Sequence, residues 1–365
     1  MMAQLYSKVF EGTFESVTPW WGGGPYGTVM NTDGKVWYPT AETIVGKTKW
    51  FTRQLMYFCK GFNLSGSFDH LELEKYVKDL FGYDGMNPTD PSIFRVIVEP
   101  LASNVALDDS VANALKSIMR VNLELSNYGF LSVRDLPVMD MKFNIRIEAP
   151  PDILLGKPKG AKKLAAAMML TLAYAGIGRA SNRGFGRFYP TSILSDDETL
   201  SEIFSAIKAG DCLTAFRTGL DYIFGGCGNA LNNFLNDRID VISCTKSLID
   251  LMRCIGDAFM TKSYPGKRPE DLAVFGLPRD RLKGWLPFKN KFIERVQSPV
   301  IAGPIVDVTK SSGCSILLIR LYYDHLNDIS VFNKTAGSLP LNAAQLNNTS
   351  GTMYWLLKDF LRKNC

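Results

Sequence analysis

The stretch Gly176-Ile-Gly178-Arg179-Ala-Ser181-Asn182-Arg183-Gly184-Phe185-Gly186-Arg187-Phe188 constrains this chain more than any other. It follows the most helix-like apolar segment, Lys162 to Ala175, and runs into a short β-type run, Phe185 to Tyr189. Its four glycines let the backbone turn at positive φ and let a neighbour approach closely, because no Cβ stands in the way. Three arginines lie among them, so one loop offers backbone amide donors and fixed cations, a combination that suits a phosphate backbone. The plainer alternative is a tight helix-to-strand turn with solvated arginines.

The segments around the loop follow a recognisable order. Residues 5–14 mix apolar and polar positions as a half-buried strand does. Thr18-Pro-Trp20-Trp21-Gly-Gly-Gly-Pro25 reads as a loop whose tryptophans either stack on unpaired bases or plug the edge of a core. Pro39-Thr40-Ala-Glu42 predicts a helix start with Thr40 as N-cap, and the helix runs to about Cys59. Ile44, Phe51, Leu55 and Phe58 form its core stripe. Lys49, Trp50, Arg53 and Tyr57 form another face, either solvated or shaped to hold a nucleic-acid strand.

Residues 61–92 read as an insertion with one short helix, Leu71 to Phe81, before a strand at Phe94 to Glu99 and a short helix at Asp108 to Lys116. Met141 to Glu148 alternates with period two and places Met141, Phe143, Ile145 and Ile147 on one face. Lys157, Lys159, Lys162 and Lys163 then crowd a helix N-terminus, where lysines oppose the helix dipole and can attract an anion, or simply stay solvated. Strand, helix, strand, strand, helix, glycine loop, strand is the ferredoxin-like βαββαβ order, so an α+β fold is expected. A second, helix-rich and incomplete copy is expected after Ser195, giving domains 1–194 and 195–365. Its predicted helices are Thr199 to Lys208, Cys212 to Phe224, Lys246 to Met260 and Thr352 to Lys363, with strands at Val300 to Val308 and Cys314 to Tyr323.

Several function classes are disfavoured. A net charge of +5 is mild, so a nucleic-acid surface must be a local patch. Ser181 stands where a dinucleotide fingerprint needs Gly or Ala, and no P-loop, H-E-x-x-H or G-x-S-x-G occurs. Asp135 and Asp140 share a loop, but their spacing demands no metal. Seven scattered cysteines without a C-x-x-C pair, and only two histidines, His70 and His325, predict neither a zinc site nor a disulfide framework; reduced cytosolic thiols are expected. The N-terminus lacks a signal-peptide pattern, and Leu164 to Gly178 falls short of the roughly 18–20 apolar residues that span a bilayer. The expected setting is cytoplasmic, with no catalytic residue, metal or cofactor.

The motifs also carry a family likeness. The pattern G-x-G-x5-G-F-G-x-F, from Gly176 to Phe188, resembles the glycine-rich loop of the RAMP superfamily of CRISPR proteins. Tyr38-Pro-Thr40-Ala-Glu-Thr-Ile-Val-Gly46-Lys-Thr-Lys49-Trp50-Phe-Thr-Arg53 resembles its P-S-S-I-x-G-x-L-R-F-W-x-R element, with Lys49 in place of the usual arginine. Phe275-Gly-Leu-Pro278 followed by Arg295-Val-Gln-Ser298-Pro299 resembles its F-G-L-P … R-R-x-S-P-L element, with Val296-Gln297 interrupting the basic pair. With the Trp20-Trp21-Gly-Gly loop, the likeness narrows to the family that forms the first subunit of type III-B Cmr effector complexes.

That resemblance implies two ferredoxin-like modules packed together and a non-catalytic, RNA-binding subunit in antiviral defence. The implied partners are the 3′ region of a CRISPR guide RNA, single-stranded target RNA and other RAMP subunits. Position by position, the implied RNA contacts are Lys47, Lys49, Trp50 and Arg53 on the helix, Gly178, Arg179, Asn182, Arg183 and Arg187 in the loop, and Arg295. Charge placement adds Lys157, Lys159, Lys162 and Lys163. The alternatives are a RAMP endoribonuclease that processes CRISPR transcripts and a purely structural scaffold.

Overall fold

The computed structural model describes residues 6–22, 29–30, 35–59, 70–81, 93–101, 137–150, 160–260, 286–289, 292–293, 298–309, 314–321, 329–333, 337–341 and 343–365. The helix expected over 108–116, and Asp135, Lys157, Lys159, Phe275 to Pro278, Arg295 and His325, lie outside the described residues.

Strand β1 (Ser7–Ser16) alternates as its sequence requires, with Phe10, Gly12, Phe14 and Ser16 buried and the residues between them partly open. It is central in a four-stranded antiparallel sheet of order β2-β3-β1-β4, with β2 at Arg95–Pro100, β3 at Lys142–Ala149 and β4 at Phe188–Leu194. Phe14 pairs with Phe143 on one side, and Ser16 pairs with Phe188 on the other. Met141, Phe143, Ile145 and Ile147 are all buried, as the alternation predicts.

Helix α1 (Ala41–Cys59) buries Ile44, Phe51, Leu55 and Phe58. At its start the Thr43 amide donates to Thr40 Oγ1, the expected cap. After α2 (His70–Phe81), helix α3 (Gly160–Leu170) buries every residue from Leu164 onward and packs against both α1 and the sheet. Its end widens into a π-helical turn, Thr171–Ala175, closed by the Gly176 amide donating to the Thr171 carbonyl at 2.9 Å. Single π turns of this kind re-aim the chain that leaves a helix.

Three helices follow, α4 (Glu198–Lys208), α5 (Cys212–Phe224) and α6 (Gly228–Arg238). Asp197 and Asp211 cap the first two, as short acidic side chains do at helix starts. All three bury residues in the first hydrophobic core, among them Leu200, Phe216 and Phe234.

A second antiparallel sheet has the order β5-β9-β8, with β5 at Ile239–Cys244, β8 at Val300–Val306 and β9 at Cys314–Arg320. Alternate residues serve two cores. Ile242, Val300, Ala302, Ile316 and Leu318 meet helices α7 (Leu248–Met260) and α8 (Ala343–Asn364). Ile239, Ile301, Ile305, Leu317 and Ile319 join the first core. A third sheet pairs β11-β10-β6-β7, from β6 (Leu286–Lys289) and β7 (Phe292–Ile293) to β10 (Ile329–Asn333) and β11 (Gly337–Leu341). The architecture is α+β, with antiparallel sheets and interspersed helices. Among the described residues no helix is long and apolar enough to cross a membrane.

The cysteine expectation is corrected here. Cys59 pairs with Cys227, joining the end of α1 to the start of α6 across a Cα separation of 4.7 Å. Cys254 pairs with Cys365, tying α7 to the last residue across 6.1 Å. Cys212, Cys244 and Cys314 remain thiols. Sequence spacing concealed both pairs because each joins residues more than 100 positions apart. Disulfides are rare in reducing cytosol, intracellular proteins of hyperthermophiles being an exception.

Candidate nucleic-acid interface

The glycine loop leaves the π turn and is fastened to the segment that follows β1. The Arg179 amide donates to the Trp21 carbonyl at 2.7 Å, and the Gly186 amide to Pro19 at 2.9 Å. Ile177 donates to Gly186 across the loop, and the Arg187 amide donates to Thr18 Oγ1, both at 2.9 Å. Gly178, at φ +82°, packs so closely that a Cβ would lie 2.6 Å from the Trp21 carbonyl oxygen. These amides are therefore committed within the protein and do not form a phosphate cradle.

The two tryptophans resolve toward the core. Trp20 and Trp21 are buried and tilt against Phe188 and Phe185, with ring centroids 5.9 and 5.4 Å apart. The Trp20 indole donates to the Trp37 carbonyl at 2.8 Å, which links the loop assembly to the chain entering α1. Trp37 itself is partly exposed. Sequence reading passed over it, although an aromatic beside Tyr38-Pro39 was an available signal.

The three loop arginines have different fates. Arg179 is half-exposed beside exposed Gly178, its guanidinium carbon 5.9 Å from the Trp21 ring, and Asn182 is also half-exposed. Arg183 is buried, with its guanidinium carbon 5.6 Å from the ring of Phe259 in α7. Arg187 is wholly buried, and its Nη1 donates to the Pro304 carbonyl in β8 at 3.0 Å. Both guanidiniums lie toward the second sheet and its helix, which sets Arg183 and Arg187 apart from half-exposed Arg179 as expected RNA contacts. Burial lowers the Arg187 pKa to about 10, so it remains a cation at neutral pH. Tyr174, Tyr189 and Cys212 are its electrostatic neighbours, and burial raises the proton affinity of each.

On α1, Lys47, Lys49, Trp50 and Arg53 are all half-buried, whereas Tyr57 is buried in the core. The Lys47 ammonium sits 3.9 Å from the centroid of the Trp50 ring, and that of Lys49 sits 5.4 Å from Phe81 at the end of α2. Lys47 is only partly exposed, and burial pulls its pKa down to about 7. Trp50 also lies 6.3 Å from Phe51 and packs, partly buried, against the first core.

The lysines that head α3 are placed elsewhere. Lys162 bonds Asp196 at 2.8 Å and lies 3.9 Å from Asp197, so two carboxylates already face its charge. Lys162 and Lys163 stand at the opposite end of the helix from the glycine loop, about 20 Å away at 1.5 Å per residue. One phosphate cannot meet both groups.

An antiparallel β2-β3-β1-β4 sheet, two helices laid over it and a glycine loop between the second helix and the edge strand define an α+β fold. No protein-family profile matches the chain, and no curated protein matches it in sequence. Solved structures do match. A chain of the type III-B Cmr-beta complex bound to cognate target RNA and AMPPnP, in the presence of single-stranded DNA, superposes with a TM-score of 0.65 at 13% identity, covering 97% of this chain and 99% of that one. A chain of Cmr-beta bound to cognate target RNA gives 0.58 at 11% identity, covering 96% and 99%. Apo Cmr1 from Pyrococcus furiosus gives 0.54 at 16% identity, covering 93% and 96%. The chain thus shares, over nearly its full length, the fold of type III-B Cmr proteins.

Proposed function

We propose that this chain is a non-catalytic, RNA-binding subunit of a type III-B Cmr complex, contacting the guide RNA 3′ region, target RNA, or both. The observation that carries the reading is exposed Gly178 followed by half-exposed Arg179 on a loop otherwise fastened by its own amides, in a fold shared with chains of target-RNA-bound complexes. A fastened backbone lowers the entropic cost of placing half-exposed Arg179 against a ligand, as preorganisation requires. Lys47, Lys49, Trp50 and Arg53 supply a second, aromatic-basic strip on α1, suited to a backbone with unstacked bases. Lys162 and Lys163 serve only if the strand extends along α3.

The same reading takes the chain as two ferredoxin-like modules divided after residue 194. The first sheet has the strand order of such a module. In the second, β5, α7, β8, β9 and α8 follow in the order strand, helix, strand, strand, helix, with β6 and β7 inserted before β8 and β10 and β11 inserted before α8. Helices α4 to α6 belong to the second half in sequence and pack on the first core.

Binding to single-stranded RNA is expected to weaken with salt at a slope of roughly −0.7 in log K per log[salt] for each phosphate contacted. Arg179→Ala with Lys49→Ala should reduce affinity while the melting transition stays in place. Unchanged affinity would remove the loop and helix from the interface. Cleavage of labelled repeat RNA by the purified chain would replace the binding role with that of a nuclease.

A further inference from the structure

We propose that the outer edge of β5 is a docking site for an extended segment of another protein chain, which adds there as an antiparallel strand. The two sheets of this chain supply the first argument. In the first sheet β1 is paired on both sides, by β3 and by β4. In the second, β5 holds the place of β1 in chain order, and among the described residues it pairs only with β9. Among the described residues, no strand takes beside β5 the position that β4 takes beside β1.

The composition of the edges supplies the second argument. Exposed strand edges invite further pairing, and proteins blunt them with charge, proline, glycine or a covering element. Edge strand β2 carries exposed Arg95 and Glu99 and ends in Pro100. Edge strand β4 contains Pro190. Edge strand β8 contains Gly303-Pro304 and is covered by the turn at Ser181–Arg183 that follows the π turn. Strand β5, Ile239-Asp-Val-Ile-Ser-Cys244, has no proline, glycine or lysine. Its one charge is turned away from the edge: Asp240 accepts from the Tyr354 hydroxyl at 2.7 Å and pairs with Lys358 at 2.5 Å, both on α8. What remains outward is Val241, 43% exposed, and exposed Ser243.

The size of the edge decides between occupants. Six residues span roughly 20 Å, and a single added strand covers far less than the roughly 800 Å² per partner that a stable pairwise interface needs. Two copies of this chain joined only through β5 would not hold together. An extended segment of a different chain, secured by its own contacts elsewhere in a larger assembly, needs no more than this edge. Backbone hydrogen bonds would hold it, and Val241 would favour apolar residues at alternate positions.

Hydrogen–deuterium exchange tests this on the isolated chain and on complexes purified through a tag on it. The β5 amides that do not pair with β9 should exchange rapidly in the isolated chain and slow by roughly 100-fold in the complex. Val241→Lys and Ser243→Lys should abolish that protection and release one protein partner, while Val241→Thr keeps both. Melting temperature and RNA affinity should not move in any of these variants, so the result stands apart from the RNA-binding reading. Unprotected β5 amides in the complex, or lysine variants with a full set of partners, would overturn the proposal. Protection that grows with the concentration of the isolated chain would overturn it too, by making a second copy the occupant.

Discussion

The guanidinium of Arg187 fills the space in which a side chain at position 303 would begin: a Cβ on Gly303 would lie 2.5 Å from its Nε. One residue closes the glycine loop, and the other lies in the second sheet. Together with the bond from Arg187 to the Pro304 carbonyl, they tie the end of the glycine loop to strand β8 of the second sheet.

Gly303→Ala should therefore destabilise the protein by about 1–3 kcal/mol, the usual cost of overfilling a packed interior. Arg187→Ala empties that space, so the double variant should lose little beyond Arg187→Ala alone. Chemical denaturation of the four proteins measures the coupling. Additive losses would mean that the two residues do not share the space.

The loop arginines should separate cleanly in RNA binding. Arg179→Ala should weaken binding and reduce the salt slope by about 0.7, the signature of one lost phosphate contact to a single strand. Arg187→Met should leave RNA affinity unchanged, since the guanidinium it replaces is buried. Fluorescence anisotropy across a salt series distinguishes them. Equal losses from both substitutions would place Arg187 at the RNA after all.

Much of the first sheet was legible because its signals are local. Met141 to Ile147 alternates without interruption, and the core stripe of α1 repeats at helical spacing. Helix α6 and strand β5 were both missed, because the helix runs straight into the strand at Asn236-Asp237-Arg238 with no glycine or proline to mark either element's end. The fates of Arg183 and Arg187 were hidden for a different reason. A loop sequence shows which cations are present, but their direction depends on Phe259 and Pro304, which lie 76 and 117 residues away. The adjacent tryptophans were ambiguous between base stacking and core, and Phe185 and Phe188 decided the matter.

The disulfides should contribute measurably to stability. Cys59–Cys227 closes a loop of 168 residues and lies beside the stacked pair Phe58 and Phe234, whose centroids are 4.4 Å apart. Cys59→Ser should cost about 2–4 kcal/mol, the range for natural cross-links. Reductant should shift the wild-type melting transition downward and leave a Cys59→Ser, Cys254→Ser double variant unaffected. Thiol counting under denaturing conditions offers a direct check: three reactive thiols are expected before reduction and seven after.

Lys47 should make both stability and RNA binding depend on pH. Burial lowers its pKa to about 7 in the folded chain, from an ordinary 10.5. Between those values the unfolded chain binds more protons than the folded one, so the contribution of Lys47 to stability rises with pH across that window. Below it both states are protonated, and the folded state carries the full cost of a desolvated cation. Lys47→Met should thus stabilise the protein most at pH 6 and progressively less toward pH 9. RNA reverses the preference, because a phosphate beside Lys47 favours the ammonium and draws a proton onto it. Affinity should fall as pH rises from 7 to 9, with proton uptake on binding that calorimetry in buffers of different ionisation heat can count. Lys47→Arg, charged throughout this range, should bind with a flat profile. A flat profile in the wild type would remove Lys47 from the RNA-facing surface.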